Sequence, residues 1–243
     1  IFFIFISFGM GLSVAGNALI GQYVGKGNYE TAKKYSNNTV FIALFLGVVF
    51  TIVAFSLAPY ILKLMGAEGS DLTFAITYLR IRSFELPILF LIFAFEAVRR
   101  ATGDTVTPVI VNAIGIVLNI ILTPLLVLTF NLGVTGAALS TVLAHVTILP
   151  AVIFFLLKSK KSLTVNFNIK QLNKTIVKDI FDIGIPASAG QSIQAVGFVI
   201  LNSLIYAYGT NVSAAFFIGN RISSLVMFPV SAVSSIVAIY IAQ

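Results

Sequence analysis

The sequence contains no cysteine, which excludes disulfides and thiolate metal sites. Its single histidine, His145, excludes any multi-histidine centre. Charge is scarce as well. Only 9% of the 243 residues are Asp, Glu, Lys or Arg, against about a quarter in a soluble domain. No nucleophile–base pair, metal cluster or phosphate-cradling loop is evident, so the chain is expected to be neither an enzyme nor a cofactor carrier.

What is abundant is apolar sequence. Hydrophobic residues make up 58% of the chain, and the mean hydropathy is +1.04. Charge-poor runs of about 20 residues recur, the length needed to cross a bilayer's hydrocarbon core as a helix. In lipid the backbone must satisfy its own hydrogen bonds, and these runs lack the alternation of a transmembrane barrel strand. The fold class is therefore an all-α polytopic membrane protein. Seven spans are placed near 1–25, 37–59, 80–100, 107–130, 133–157, 184–208 and 213–243. The chain begins at Ile1 without Met or a basic leader and ends inside a helical pattern, so it reads as a fragment of a longer protein.

The net charge of +7 follows topology rather than nucleic acid. Eleven of the 15 basic residues fall after the first, third and fifth spans. These connections are expected on the cytoplasmic side of a cell membrane. The linker near 158–183 places Ile169, Leu172, Ile176, Ile180 and Ile183 at three- and four-residue spacing beside Lys170, Lys174 and Lys178. That is the pattern of a basic amphipathic helix on the inner leaflet, or of a solvated linker helix.

Small residues form ladders: Gly9, Ser13, Asn17, Gly21 and Gly25 in the first span, and Gly133, Ala137 and Thr141 in the fifth. Both read as helix-packing faces. ALIGQ at 18–22 and IYIAQ at 239–243 suggest a weak internal repeat, a common device of secondary transporters.

Polar residues inside spans are costly and mark candidate sites. Asn112, Asn119 and Thr123 share one face of the fourth span. Pro124 deprives the Ile120 carbonyl of its helical partner. Together they offer oxygen ligands for a small hard cation, or interhelical hydrogen bonds around a kink. Glu96 lies a turn from Arg99 and Arg100, as their partner or as a functional acid. Glu85 beside Arg82 reads as an interfacial ion pair. Thr141 and His145 share a face of the fifth span, and His145 is a candidate proton relay with Glu96. Gln191, Gln194 and Asn202 share a face of the sixth.

Several stretches together resemble the MATE (multidrug and toxic compound extrusion) transporters. They are ALIGQYVGKGNYETAKKYS, RRATGDTVTPVIVNAIGIVLNIILTPLLV, LGVTGAALSTVLAHV, FDIGIPASAGQSIQ and YGTNVSAAFFIGNRI. The resemblance implies a two-lobe bundle of twelve helices, of which this chain holds the second to eighth. Residues 1–158 would form the N-terminal lobe without its first helix, 159–183 a cytoplasmic linker, and 184–243 the opening of the C-terminal lobe. It implies efflux of small organic, often cationic or amphipathic compounds by Na⁺- or H⁺-coupled antiport, with alternating access and a complete protein that is monomeric. A lipid-linked oligosaccharide flippase of the same superfamily, or a channel or scaffold, is the alternative.

The family's cation site has an Asn and an Asp four apart on the fifth helix and a Thr on the sixth. Asn119 and Thr141 match the Asn and the Thr, and would ligate Na⁺ if that is the coupling ion. Thr123 stands where the Asp is expected, so the negative charge must come from elsewhere: from the carboxylate that many members carry on the first helix, acting alone, or from Glu96 reaching in from the adjacent helix. Asn112, Gln194 and Asn202 are candidates for the substrate cavity. Gln194 falls at about the position of the acid found on the seventh helix of a subfamily.

Overall fold

A computed structural model describes residues 2–64, 69–158, 163–166, 172–206, 208–209, 212–213 and 215–227. It is helical, with no strand among the described residues. The helices are α1 (Phe2–Gly25), α2 (Tyr29–Leu64), α3 (Gly69–Ser83), α4 (Leu86–Ala101), α5 (Val106–Pro124), α6 (Gly133–Leu157) and α7 (Lys174–Tyr206), followed by α8 (Ala215–Met227). Among the described residues, α1, α2, α6 and α5 with its extension are long and apolar enough to cross a membrane. The protein is a multi-pass membrane protein.

The chain divides into two units, 1–192 and 193–243. In the first unit α4 is the centre, packed against α1, α2, α5 and α6. Leu86, Phe90 and Ala94 are fully buried along one side of it. By contrast α5 exposes Val109, Ile110, Val117 and Ile120. The second unit contains the end of α7 and α8, joined through a turn in which Ser213 bonds the Gly209 carbonyl through both its N–H and its hydroxyl.

Three expectations need correction. The span placed at 80–100 is two helices, α3 and α4, broken at Phe84 and Glu85. Their N–H groups close three-residue turns onto Ile81 and Arg82. Pro87 then sits in the first turn of α4, where its missing N–H removes no helical bond. Among the described residues the second half of the expected amphipathic helix is not separate from the sixth span: from Lys174 the chain is one helix, continuous through Pro186. Residues 163–166 before it are not helical. Ile169 and Lys170 lie outside the described residues, as do 228–243 and with them the second copy of the repeat.

The third correction concerns the small-residue ladders. In α1 the buried small residues include Gly9 of the expected ladder, where a Cβ would meet the Phe93 ring at 2.5 Å, but also Gly11, Ala15 and Gly16, whereas Asn17 is exposed. A Cβ on Gly11 would lie 2.5 Å from the Gly184 carbonyl of α7, and one on Gly16 2.8 Å from the Thr39 methyl of α2. In α6 the tight face is Gly136, Ser140, Ala144 and Ile148, one residue out of step with the expected ladder. A Cβ on Gly136 would meet the Leu126 carbonyl at 2.8 Å. Spacing identified that small faces exist, but several residue sets satisfy the same period, and only packing selects one.

The kink anticipated at Pro124 takes a definite form. After Pro124 the helix continues as a π-helical turn, Leu125–Thr129, and the Phe130 N–H reaches back five residues to the Leu125 carbonyl at 3.0 Å. Widening the turn accommodates the proline without ending the helix.

Candidate functional site

The polar residues of α4, α5 and α6 converge. A cavity of about 370 Å³ between these helices is lined by Glu96, Asn112, Asn119, Thr141 and His145, with Phe93, Ile116 and Ile148 as apolar wall. Asn112 and Asn119 are seven residues apart and therefore on one face of α5; Thr141 and His145 are four apart on α6.

Glu96 is 8% exposed. Its Oε1 accepts from the Asn112 amide at 2.5 Å and its Oε2 pairs with Arg100 at 2.9 Å. One oxygen serves the arginine at the helix end, as expected of a partner, and the other meets Asn112 at the cavity. Asn119 donates to the Thr141 hydroxyl at 3.2 Å. Asn119 stands seven residues from Asn112, about 10 Å along the helix. Glu96 thus shares the cavity with the Asn119–Thr141 pair without touching it.

Thr123 does not line the cavity. Its hydroxyl lies 2.7 Å from the Asn119 carbonyl, to which it donates, and 2.9 Å from the Ser140 hydroxyl. A neutral pair, Thr123 with Ser140, closes the α5–α6 interface at the position where an acid was expected. Asn112, the α5 partner of Glu96, is eleven residues from Thr123, about 16 Å along the helix. Glu96 therefore lies well away from the position where that acid was expected.

His145 has a partner that spacing did not suggest. Its Nδ1 lies 3.1 Å from Glu85 Oε1 and 3.1 Å from the Thr141 carbonyl. A backbone carbonyl only accepts, so Nδ1 is the donor to Thr141. Glu85 is 2% exposed, and Arg82 approaches its other oxygen at 3.1 Å. The ion pair with Arg82 is as expected, but it is buried, and it backs the cavity through His145. Sixty residues separate Glu85 from His145, and no local pattern links them; the break before α4 places the acid against α6.

Gln194 is exposed on α7 and belongs to the second unit. The Asn202 side chain lies outside the described residues. Among the described residues no group of three or more His, Cys, Asp or Glu could hold a metal ion.

At the end of α4 the RRATGDT turn is tied by Arg99 to Asp104 at 3.2 Å and by the Thr107 N–H to Asp104 Oδ1 at 3.0 Å. Gly103 takes a φ of 83° there, a conformation that favours glycine. Burial pushes the Asp104 carboxyl up, but the Thr107 bonds and the Arg99 charge outweigh it and hold the group below its ordinary value.

The MatE family model matches residues 1–125. The chain belongs to the MATE family. It is 30% identical over 250 residues to the probable multidrug resistance protein YoeA of Bacillus subtilis (strain 168), covering 100% of this chain and 54% of that protein. It is 30% identical over 229 residues to the multidrug export protein MepA of Staphylococcus aureus (strain bovine RF122 / ET3-1), covering 94% and 50%. The chain spans about half the length of the curated relatives it matches. Among solved structures, an inward-facing multidrug resistance MATE family transporter of the MOP superfamily matches with a TM-score of 0.83 at 27% identity, covering 94% of this chain and 52% of that one. An outward-facing conformation of such a transporter matches at 0.85 and 28%, covering 94% and 51%.

Proposed function

We propose that the complete protein exports small organic compounds, cationic or amphipathic, by antiport against Na⁺ or H⁺. The observation that carries this reading is the cavity itself: a buried carboxylate, two Asn amides, a Thr hydroxyl and an imidazole converge inside a MATE lobe. Groups of this kind are too costly to keep within a membrane without a task. Asn119 and Thr141 offer oxygens to Na⁺, while Glu96 and His145 are suited to carry protons. Glu96 is the acid that compensates for Thr123, acting from the other end of the cavity.

Alternating access is supported by the near-equal fit of this chain to inward- and outward-facing relatives, with TM-scores of 0.83 and 0.85. One lobe retains its shape while the two-lobe assembly changes state, as in rigid-body rocking. The connections rich in Lys and Arg, after α1 and α4 and before α7, face the cytoplasm. The complete protein works as a monomer.

The test is dye efflux from liposomes containing the complete protein, with Na⁺ and pH gradients imposed separately. Efflux driven by one gradient identifies the coupling ion; efflux indifferent to both overturns the antiport reading. In the same assay Glu96→Gln is expected to abolish most gradient-driven transport, and unchanged transport would remove Glu96 from the mechanism.

A further inference from the structure

Two adjoining cavities lie where α2 begins, beside the start of α7. One, of about 620 Å³, is polar and is lined by Lys33, Lys34 and Asn37 of α2 together with Asn166, Asn173 and Lys174. The other, of about 860 Å³, is almost wholly apolar and runs between Phe41, Phe45 and Val48 of α2 and Val177 and Phe181 of α7. Leu172, Asn173 and Lys174 line both, so a polar chamber opens into an apolar groove. From Asn37 to Val48 the pair extends about 16 Å along α2.

The junction is built rather than incidental. The buried Asn37 and Asn38 side chains accept the N–H groups of Asn166 at 2.9 Å and Asn173 at 3.1 Å. Asn173 caps α7 through the Thr175 N–H at 2.9 Å, and Tyr35 donates to Asp179 at 2.5 Å. These bonds hold the start of α7 against α2 and keep the chamber open.

Charge identifies the occupant. Glu30 is paired with Lys34 at 2.8 Å, whereas Lys33, Lys174 and Lys178 form no ion pair among the described residues. The chamber therefore presents surplus positive charge immediately beside an apolar channel. We propose that this is a binding site for one anionic glycerophospholipid, with its phosphate among Lys33, Asn173 and Lys174 and an acyl chain against Phe41, Phe45 and Val48. In a bilayer an acyl chain gains little by leaving its neighbours, so selectivity must come from the headgroup and depends on the lysines. A soluble anion would leave the groove unused. The inference does not depend on efflux or on the coupling ion.

The test uses the complete protein in detergent, titrated by native mass spectrometry with dioleoylphosphatidylglycerol, dioleoylphosphatidylcholine or glycerol 3-phosphate. One phosphatidylglycerol is expected to bind well before phosphatidylcholine, with glycerol 3-phosphate a poor competitor. The double variant Lys33→Gln, Lys174→Gln should raise the phosphatidylglycerol concentration required roughly thirtyfold, and Val48→Trp should block the groove while thermal unfolding stays unchanged. Equal binding of the two lipids, wild-type binding by either variant, or full competition by glycerol 3-phosphate would each overturn the proposal.

Discussion

The two polar regions of this lobe solve the same problem in opposite ways. In the cavity between α4, α5 and α6, protein answers protein: Glu96 meets Asn112 and Arg100, Asn119 meets Thr141, and Glu85 meets His145 and Arg82. At the start of α2, asparagines hold the backbone in place while Lys33 and Lys174 face an open chamber. The difference follows from depth. A polar group far from water needs a fixed partner, and one near the membrane surface can leave its charge for solvent or lipid to meet.

The largest way to break the contrast is to disturb the packing that shapes the deep cavity. Gly136→Val forces a branched side chain into a 2.8 Å approach to the Leu126 carbonyl. It should separate α6 from α5 and cost about 1–3 kcal/mol, measured as a lower unfolding temperature together with lost efflux. Next comes Glu96→Gln, which keeps the shape and removes the charge. Transport is expected to fall roughly tenfold or more, the scale of one charge-assisted hydrogen bond, with the fold intact by circular dichroism.

At the boundary the effects shift from transport to stability. Asn38→Ala removes the acceptor for the Asn173 N–H and the donor to the Lys34 carbonyl. A loss of about 1–2 kcal/mol is expected, read by chemical denaturation, with efflux per folded molecule preserved. The smallest effect belongs to Asp104→Asn, at under about 1 kcal/mol. Because the Asp104 carboxyl titrates below its ordinary value when folded, its contribution is present at neutral pH. It is lost as pH falls below about 4, where wild type and variant should converge.

How much of this was legible in the sequence differs by scale. The helical membrane class followed from composition, and residues with one-turn or two-turn spacing, such as Asn112 with Asn119 and Thr141 with His145, do share a wall. Period alone could not add Gly11 and Gly16 to Gly9 as the tight positions of α1, nor choose Gly136 over Ala137 in α6. Nor could it find Glu85 behind His145, since that contact depends on a helix break and on a neighbour sixty residues away. Thr123 shares a helix face with Asn119 by angle, yet it does not line the cavity, because it meets Ser140 across the interface, a partner that only tertiary packing assigns.

The π-helical turn after Pro124 has a consequence for how this segment tolerates change in length. A wide turn carries one residue more than the α-helical path between the same end points. Deleting a residue from Leu125–Thr129 would tighten it to ordinary winding and leave both flanking stretches in phase. The same deletion upstream, between Asn112 and Asn119, would rotate one asparagine about 100° away from the other. A single deletion is therefore absorbed after the proline and destructive before it.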